Sequence, residues 1–553
     1  MKNLLCICAL LFWMQAKGQT TLSFNKIDIN PGAGSSLPGH MMEFNGKIFL
    51  VAFADSFGFE PWITDGTMQG TYMLKDIYTG KGVKTWLGSM SRSVFHAVNS
   101  YSIDWPVLNG KLFFNATDSV DGHNVWSTDG TVNGTKMAID LLPGNPNWGG
   151  GAELILFDSV ILFTKPHDYE LWSTDGTQQG TYMVKDIPGI QSRPRHFCKY
   201  KGKVYFAARD TALKLNLWET DGTEQGTKLV RHFEAIEQIH SLNNKLFFVA
   251  RTLSDGLEWH VYNGNAPQLL RDINPGADSG AVRNFYQMAA YNGKAYFAAD
   301  DGNTGAELWV TDGTYAGTQL LKDINPGPAS SRPCNFTEHD DKLYFQAIDA
   351  TNGAELWVTN GTDTGTRLVK DILPGPQGSF PSHQISYGEH LYFAAMAASA
   401  DTQLMRTDGT APGTVVVRPP TAVKNNPLER SLAFIVFDSS LYFGADFDSS
   451  GMELWSLREI PDPDYIPVTA ADRNVFAVYP NPAEDALYIS MYEDFREAEV
   501  FVYDVAGKLI PVQNIDRAGN TLVLMLPPGM SPGNYVVSVR INGHTSGATF
   551  VKQ

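Results

Sequence analysis

Residues Asn292 to Gly327 read NGKAYFAADDGNTGAELWVTDGTYAGTQLLKDINPG, and from Asp340 the chain says nearly the same thing again: DDKLYFQAIDATNGAELWVTNGTDTGTRLVKDILPG. Lys294-Ala295-Tyr296-Phe297-Ala298-Ala299 alternates with period two and is rich in β-formers, which predicts a strand. A polar loop, Asp300 to Gly305, leads to Glu307-Leu308-Trp309-Val310-Thr311, a second strand carrying a large aromatic suited to burial. The Asp-Gly pair of T-D-G-T predicts a tight turn, because Gly accepts positive φ and Asp can bond the turn backbone. A third strand, T-x-x-V-K-D-I, leaves that turn with Lys and Asp along it, charges that suit an exposed edge and discourage strand addition. A less regular fourth strand follows D-I-x-P-G before the next N-G-K. No helical periodicity competes.

Working outward, Trp62, Trp126, Trp172, Trp218, Trp259, Trp309, Trp357 and Trp455 share one slot, which Met405 fills once, so eight of the twelve tryptophans occupy a single repeat position. Spacings of 41 to 50 residues dominate, with one of 64 between Trp62 and Trp126, a length that suits a four-stranded propeller blade. The N-G-K-like strand occurs nine times, at Asn45, Asn109, Asp158, Lys201, Asn243, Asn292, Asp340, Gly388 and Asp438. The last unit stops after Glu453-Leu454-Trp455 without its K-D-I strand, and an orphan copy, Lys26-Ile27-Asp28-Ile29-Asn30-Pro31-Gly32, precedes the first unit. Pairing the orphan with the vacancy closes a ring and removes both free edges. An open solenoid would want capping repeats instead, and none is evident. The fold expected is all-β: a β-propeller of eight or nine four-stranded blades over residues 20–458, with a small β-sandwich after it.

The chain has 553 residues, too many for one ordinary core. Its formal charge of −17 repels phosphate backbones and anionic lipid, so nucleic acid is excluded as an expected partner. Residues 1–19 read as a signal peptide: Lys2, then the apolar run Leu4 to Trp13, then Ala16-Lys17-Gly18-Gln19. That run is too short to span a bilayer, and no later segment reaches the required length. Cys6 and Cys8 fall inside it, leaving Cys198 and Cys334 in units four and seven, where buried thiols are expected in place of a disulfide across the ring.

After an acidic, proline-rich linker at 459–472 (EIPDPDYIPVTAAD) the repeat vanishes. Residues 473–553 hold Tyr479-Pro480-Asn481-Pro482, then Tyr503-Asp504-Val505-Ala506-Gly507-Lys508, then Gly533-Asn534-Tyr535-Val536-Val537-Ser538-Val539. In order and spacing these motifs resemble the type A C-terminal sorting domains of the type IX secretion system, with the mild departure that Gln553 follows Lys552. The resemblance covers about one seventh of the chain. It implies passage across the inner membrane by the N-terminal signal, then across the outer membrane guided by this tail. The type IX machinery is then the partner of residues 473–553, and the location is secreted or outer cell surface. The ELW-TDGT units are also similar to a repeat common in proteins with this tail, a likeness that lends architecture and no activity.

In a propeller the loops joining one blade to the next open on one face of the central channel. Seven residues before the Lys of N-G-K stand His40, Asp104, Glu153, His196, Gln238, Gln287, Asn335, His383 and Ala433. Eight of these nine are polar and form a candidate ring at the channel mouth, with Arg193, Arg195, Arg283 and Arg332 close by. The functional reading is a binding ring for a sugar, peptide or anion; the bland one is that strand ends at a wet channel are polar. The histidines lie whole blades apart, without chelating spacing, so no metal is expected. The repeated Asp65, Asp129, Asp175, Asp221, Asp312 and Asp408 lack a D-x-D-x-D-G loop, and Asn360 replaces Asp once, so turn chemistry explains them better than calcium. Glu60, Glu170, Glu307, Glu355 and Glu453 read as groups that frame each blade.

Asp104 and Glu153 form the one acid pair in the ring, and would support glycoside chemistry if they lay roughly 5–9.5 Å apart. The insertion from Thr79 to Trp105, with Trp86, Phe95, His96 and Tyr101, offers aromatics for carbohydrate stacking or for packing on its own blade. No nucleophile elbow, P-loop, H-E-x-x-H or paired C-x-x-C occurs, and no cofactor is expected. The function expected is a secreted or cell-surface binding protein for a glycan or protein ligand. The alternatives are a polysaccharide hydrolase or lyase with its site at the channel mouth, or a structural matrix role.

Overall fold

The computed structural model describes residues 20–461, apart from 33, 80–104, 119, 144–152, 190, 277, 284, 398–400, 425 and 429–432. It also describes 476–552, apart from 480–485, 492–497, 505–507, 511–512, 519–520, 528–529 and 542–543. The signal segment, residues 462–472 of the linker, Asp104 and the insertion's Trp86, Phe95, His96 and Tyr101 lie outside the described residues. The chain divides into two compact units, Phe24–Arg458 and a second that holds Glu459–Gln553 together with Met1–Ser23.

Among the described residues the first unit consists of nine four-stranded antiparallel sheets. They are numbered here by their innermost strands: Gly39–Phe44, Val107–Leu108, Leu154–Phe157, Arg195–Tyr200, Ala235–Leu242, Met288–Tyr291, Cys334–His339, Ser382–Tyr387 and Phe434–Phe437. Sheet six shows the plan. Met288–Tyr291, Lys294–Asp300, Ala306–Thr311 and Gln319–Lys322 follow one another outward, with Phe297 opposite Trp309. The irregular stretch before N-G-K is therefore the innermost strand of its own sheet. The T-D-G-T turn is locked by side chains: Thr314 donates from N (2.9 Å) and Oγ1 (2.6 Å) to Asp312 Oδ1, and Gly317 N donates to Thr314 Oγ1 (2.9 Å). Asn360 makes the same bonds to Thr362 through Oδ1, which is why Asp and Asn interchange there.

The outer strand is shorter than T-x-x-V-K-D-I. It ends at Lys322 in sheet six, and at Lys185 and Lys370 in sheets three and seven. The physical reason lies in the buried Glu of E-L-W, which takes the Ile amide out of the ladder: Ile324 N donates to Glu307 Oε2 (2.7 Å) and Ile187 N to Glu170 Oε2 (2.9 Å).

Hydrophobic cores lie between neighbouring sheets, as face-to-face β packing requires. Phe49, Val51 and Ile63 of sheet one meet Leu112, Phe114 and Trp126 of sheet two. The ring closes the same way. Thr20–Ile27 forms the outer strand of sheet nine beside Glu453–Pro461, and Ile27 and Ile29 share a core with Leu454 and with Met41 and Ile48 of sheet one. Ile29 N donates to Glu453 Oε2 at 2.7 Å, the bond that Ile324 makes to Glu307 within one sheet.

In the second unit, Phe476–Tyr479, Ala486–Met491, Thr521–Met525 and Gln513–Ala518 form one sheet. Leu509–Ile510, Ala498–Asp504, Gly533–Ile541 and His544–Lys552 form the other. Leu487, Ile489, Leu522 and Leu524 of the first meet Val500, Val502, Val537 and Val539 of the second, a two-sheet sandwich. Cys198 and Cys334 are free thiols, and burial pushes each up to about 12.

Candidate functional site

The loop that carries the chain from one sheet to the next repeats a short pattern that the reading by N-G-K register did not isolate. It is Ser36-Leu37-Pro38-Gly39-His40 before sheet one, Ser192-Arg193-Pro194-Arg195-His196 before sheet four, Ser331-Arg332-Pro333-Cys334-Asn335 before sheet seven and Ser379-Phe380-Pro381-Ser382-His383 before sheet eight. The serine is fully buried each time. Ser192, Ser331 and Ser379 donate Oγ–H to Glu170, Glu307 and Glu355 (2.8, 2.6 and 2.6 Å), and Ser36 donates its N–H to Glu453 (3.0 Å). These glutamates thus clasp the crossover on one side and the end of the outer strand on the other, and each is raised above its ordinary range because burial disfavours the anion.

Two residues of each crossover sit in the left-handed region although neither is glycine. Leu37, Arg193, Arg332 and Phe380 have φ of 45–50°, and His40, His196, Asn335 and His383 have φ of 50–60°. Each non-glycine residue held there costs about 1–2 kcal/mol unless its surroundings determine it. The second coincides with a β-bulge in the innermost strand, between Gly39 and Met42, Arg195 and Cys198, Cys334 and Thr337, and Ser382 and Ile385. A bulge re-aims the side chain and frees the amides around it.

Neighbouring sheets use those amides. Glu153 accepts from His196 N (Oε2, 3.0 Å) and Phe197 N (Oε1, 2.9 Å), and Gln287 Oε1 accepts from Asn335 N at 2.6 Å. Asn335 in turn donates Nδ2–H to Pro381 O at 3.1 Å. The expected ring residues thereby fall into sheet-to-sheet relays: Glu153 with His196, Gln287 with Asn335, and Asn335 with the crossover of His383. Gln238 lies at the bulge of sheet five, buried, with no partner for Oε1. His383 lies against Phe434, ring centroids 5.6 Å apart. His40 is half-buried and burial lowers its pKa; Ala433 is buried. Asp104 lies outside the described residues. Burial raises Glu153 to about 7, while the two amides and Arg195 pull the other way. With both oxygens engaged by backbone, this carboxyl brackets a bulge.

Arg195 lies near Glu237, Arg209, Glu153 and Arg193, in descending order of influence, while burial lowers its pKa. Tyr286 feels Glu237, Arg283 and Arg251, and Arg332 lies over the Phe285 ring at 6.0 Å. Arg209, Glu237 and Arg251 belong to this group and were missed by the sequence reading. For Arg209 a signal was available: Phe53, Ile348 and Met396 donate to the crossover serine carbonyl as Arg209 does, so among these four sheets arginine breaks an apolar pattern. Among the described residues no cluster of His, Cys, Asp or Glu could hold a metal.

A family model for the secretion system C-terminal sorting domain matches residues 477–553. Those residues are a type IX secretion sorting domain. The sorting domain occupies the second unit, so the protein is one exported to the cell surface or beyond. No curated protein matches the chain. Solved structures similar to it include the β-propeller domain of the Trilobed protease from Pyrococcus furiosus, 10% identical, TM-score 0.29, over 56% of this chain and 95% of that one. Saccharomyces cerevisiae Sqt1 is 10% identical, TM-score 0.34, over 65% and 94%. A puromycin-hydrolyzing peptidase from Mycobacterium tuberculosis is 13% identical, TM-score 0.33, over 65% and 60%. The chain spans less than two thirds of the peptidases it matches, and these likenesses carry no argument about activity. The β-propeller fold is read from the chain's own sheets.

Proposed function

We propose that this is a non-catalytic binding protein, exported by the type IX route and presented at the cell surface or released. It takes a glycan or protein ligand at the face where the crossovers enter the innermost strands. One observation carries the reading: four crossovers hold His, His, Asn and His in the left-handed region on bulges of the same register. Backbone strain repeated at one place, with a polar imidazole or amide at each, is what a preformed binding surface needs. Glu153 offers no support for glycoside chemistry, since both of its oxygens accept backbone amides.

The test is an array of glycans and peptides probed with the full chain, beside His196→Ala and His383→Ala. Saturable binding that weakens at least tenfold in both variants, with unchanged circular dichroism, supports the reading. Binding indifferent to both substitutions, or no binding anywhere, overturns it.

A further inference from the structure

The crossover scaffold does not require arginine. Where sheet four has Arg195, sheets one, seven and eight have Gly39, Cys334 and Ser382; where it has Arg193, sheets one and eight have Leu37 and Phe380. Where it has Arg209, those three sheets have Phe53, Ile348 and Met396. The same backbone is therefore built without these charges, yet sheet four gathers all three. Burial lowers the affinity of Arg195 for a proton; around it the carboxylates of Glu237 and Glu153 are set against the like charges of Arg209 and Arg193. Crowding like charges at half-buried positions is unfavourable unless something of opposite sign is placed among them.

The arc continues around the face. Arg251 of sheet five reaches Ser279 at 3.5 Å, on the crossover to sheet six; Arg283 stands exposed on that same crossover and Arg332 on the one to sheet seven. Around Arg195 and Tyr286 five arginines, Arg193, Arg195, Arg209, Arg251 and Arg283, thus meet two acids, Glu153 and Glu237, on a chain whose net charge is −17, and Arg332 lies over the neighbouring Phe285 ring as the sixth. None of the six makes an ion pair with a described residue, and the Nε–H groups of Arg193 and Arg195 are buried without an acceptor. Gln238, in the middle of the arc and more than nine-tenths buried, presents an Oε1 that accepts from nothing.

We infer that the arc from sheet four to sheet seven binds an acidic polysaccharide, its carboxylates taken by the guanidinium forks and its hydroxyls by the amides and imidazoles between them. The inference rests on the binding-protein reading and deepens it. Guanidinium is the side chain that meets a planar carboxylate in a bidentate way, and several along one arc call for an anion repeated along a chain. Gln238 brings a free carbonyl acceptor, which suits a hydroxyl donor and would serve a phosphate or sulfate poorly.

The experiment titrates the full chain with polygalacturonate, dextran sulfate, neutral dextran and poly-glutamate at two salt concentrations. Arg283→Gln and Arg332→Gln are chosen because both side chains are exposed, and Arg195→Gln is added beside them. Supporting results are saturable, salt-sensitive binding of polygalacturonate, at least tenfold weaker in Arg195→Gln and in the Arg283→Gln/Arg332→Gln double variant, with Lys228→Gln, an exposed charge on the outer strand of sheet four, leaving it unaffected. Equal binding of poly-glutamate with the same arginine dependence overturns the glycan in favour of an acidic peptide. Preference for dextran sulfate overturns the carboxylate. A neutral glycan bound at the histidines, with polygalacturonate ignored, overturns this inference and leaves the binding-protein reading standing; silence across this panel and the array sinks both.

Discussion

Replacing Glu355 by alanine isolates what the buried glutamate does in each sheet. Its Oε1 accepts from Leu373 N (3.1 Å) and Ser379 N (2.9 Å), and its Oε2 from Ser379 Oγ (2.6 Å). Ser379 N keeps a second acceptor, Ala354 O at 2.8 Å, so two donors, Leu373 N–H and Ser379 Oγ–H, lose their partner. At about 1–3 kcal/mol for each buried donor left unmade, with the volume of the lost side chain added, the local cost is about 3 kcal/mol. Native-state hydrogen exchange at pH 5 then shows the Leu373 amide exchanging about 100-fold faster, since each 1.4 kcal/mol is tenfold. Glu355→Gln keeps a carbonyl for both amides and an amide for the hydroxyl, and stays within about 1 kcal/mol of the parent at that pH. Asn124 and Asn216 already serve this way, accepting Leu141 N at 2.8 Å and Phe233 N at 2.9 Å. Unchanged protection of Leu373 in the alanine variant would refute the claim that this side chain ties the outer strand to the crossover.

The same glutamates set a pH dependence. Burial raises Glu60 and Glu355 from 4.5 to about 7 and Glu258 to about 8, above the unfolded value, so each contributes stability that is complete below about pH 4.5 and lost as pH rises through 7–8. For Glu355 the span is about 3 kcal/mol, so thermal melts of the parent and Glu355→Gln converge at acid pH and separate in favour of the variant at pH 9. Removing residues 20–32 strips sheet nine of its outer strand and of buried Ile27 and Ile29; melting temperature should fall by several degrees and light scattering should report association through the bared edge, whereas an unchanged melt would deny the closure. Gly361 has φ +86°, and a Cβ there would meet Tyr296 Oη at 2.6 Å. Gly361→Ala should cost about 2–3 kcal/mol in denaturant titration, and Tyr296→Phe added to it should recover part of that; no recovery would place the whole cost in the backbone.

Most of the architecture was legible because a propeller repeats its chemistry. The tryptophan slot, the T-D-G-T turn and the displaced Lys26–Gly32 copy are local patterns, and each maps to one element. The end of the outer strand was not legible, since it depends on whether Ile324 bonds its sheet or the side chain of Glu307, a competition that no local propensity expresses. Similarly, alignment by register found the ring positions but not the bulges, because S-x-P-x-[HN] interrupts period-two alternation and dissolves into an irregular stretch.

The sequence by itself determined the repeat, the means of closure and the export tail, all written in residues close along the chain. Only the tertiary structure decided that Arg209, Glu237 and Arg251 join Arg195 and Arg283, which the register had already set near the ring. The physical reason is that Coulomb interaction acts through space, and sheets stacked around an axis bring together side chains that lie tens of residues apart in sequence.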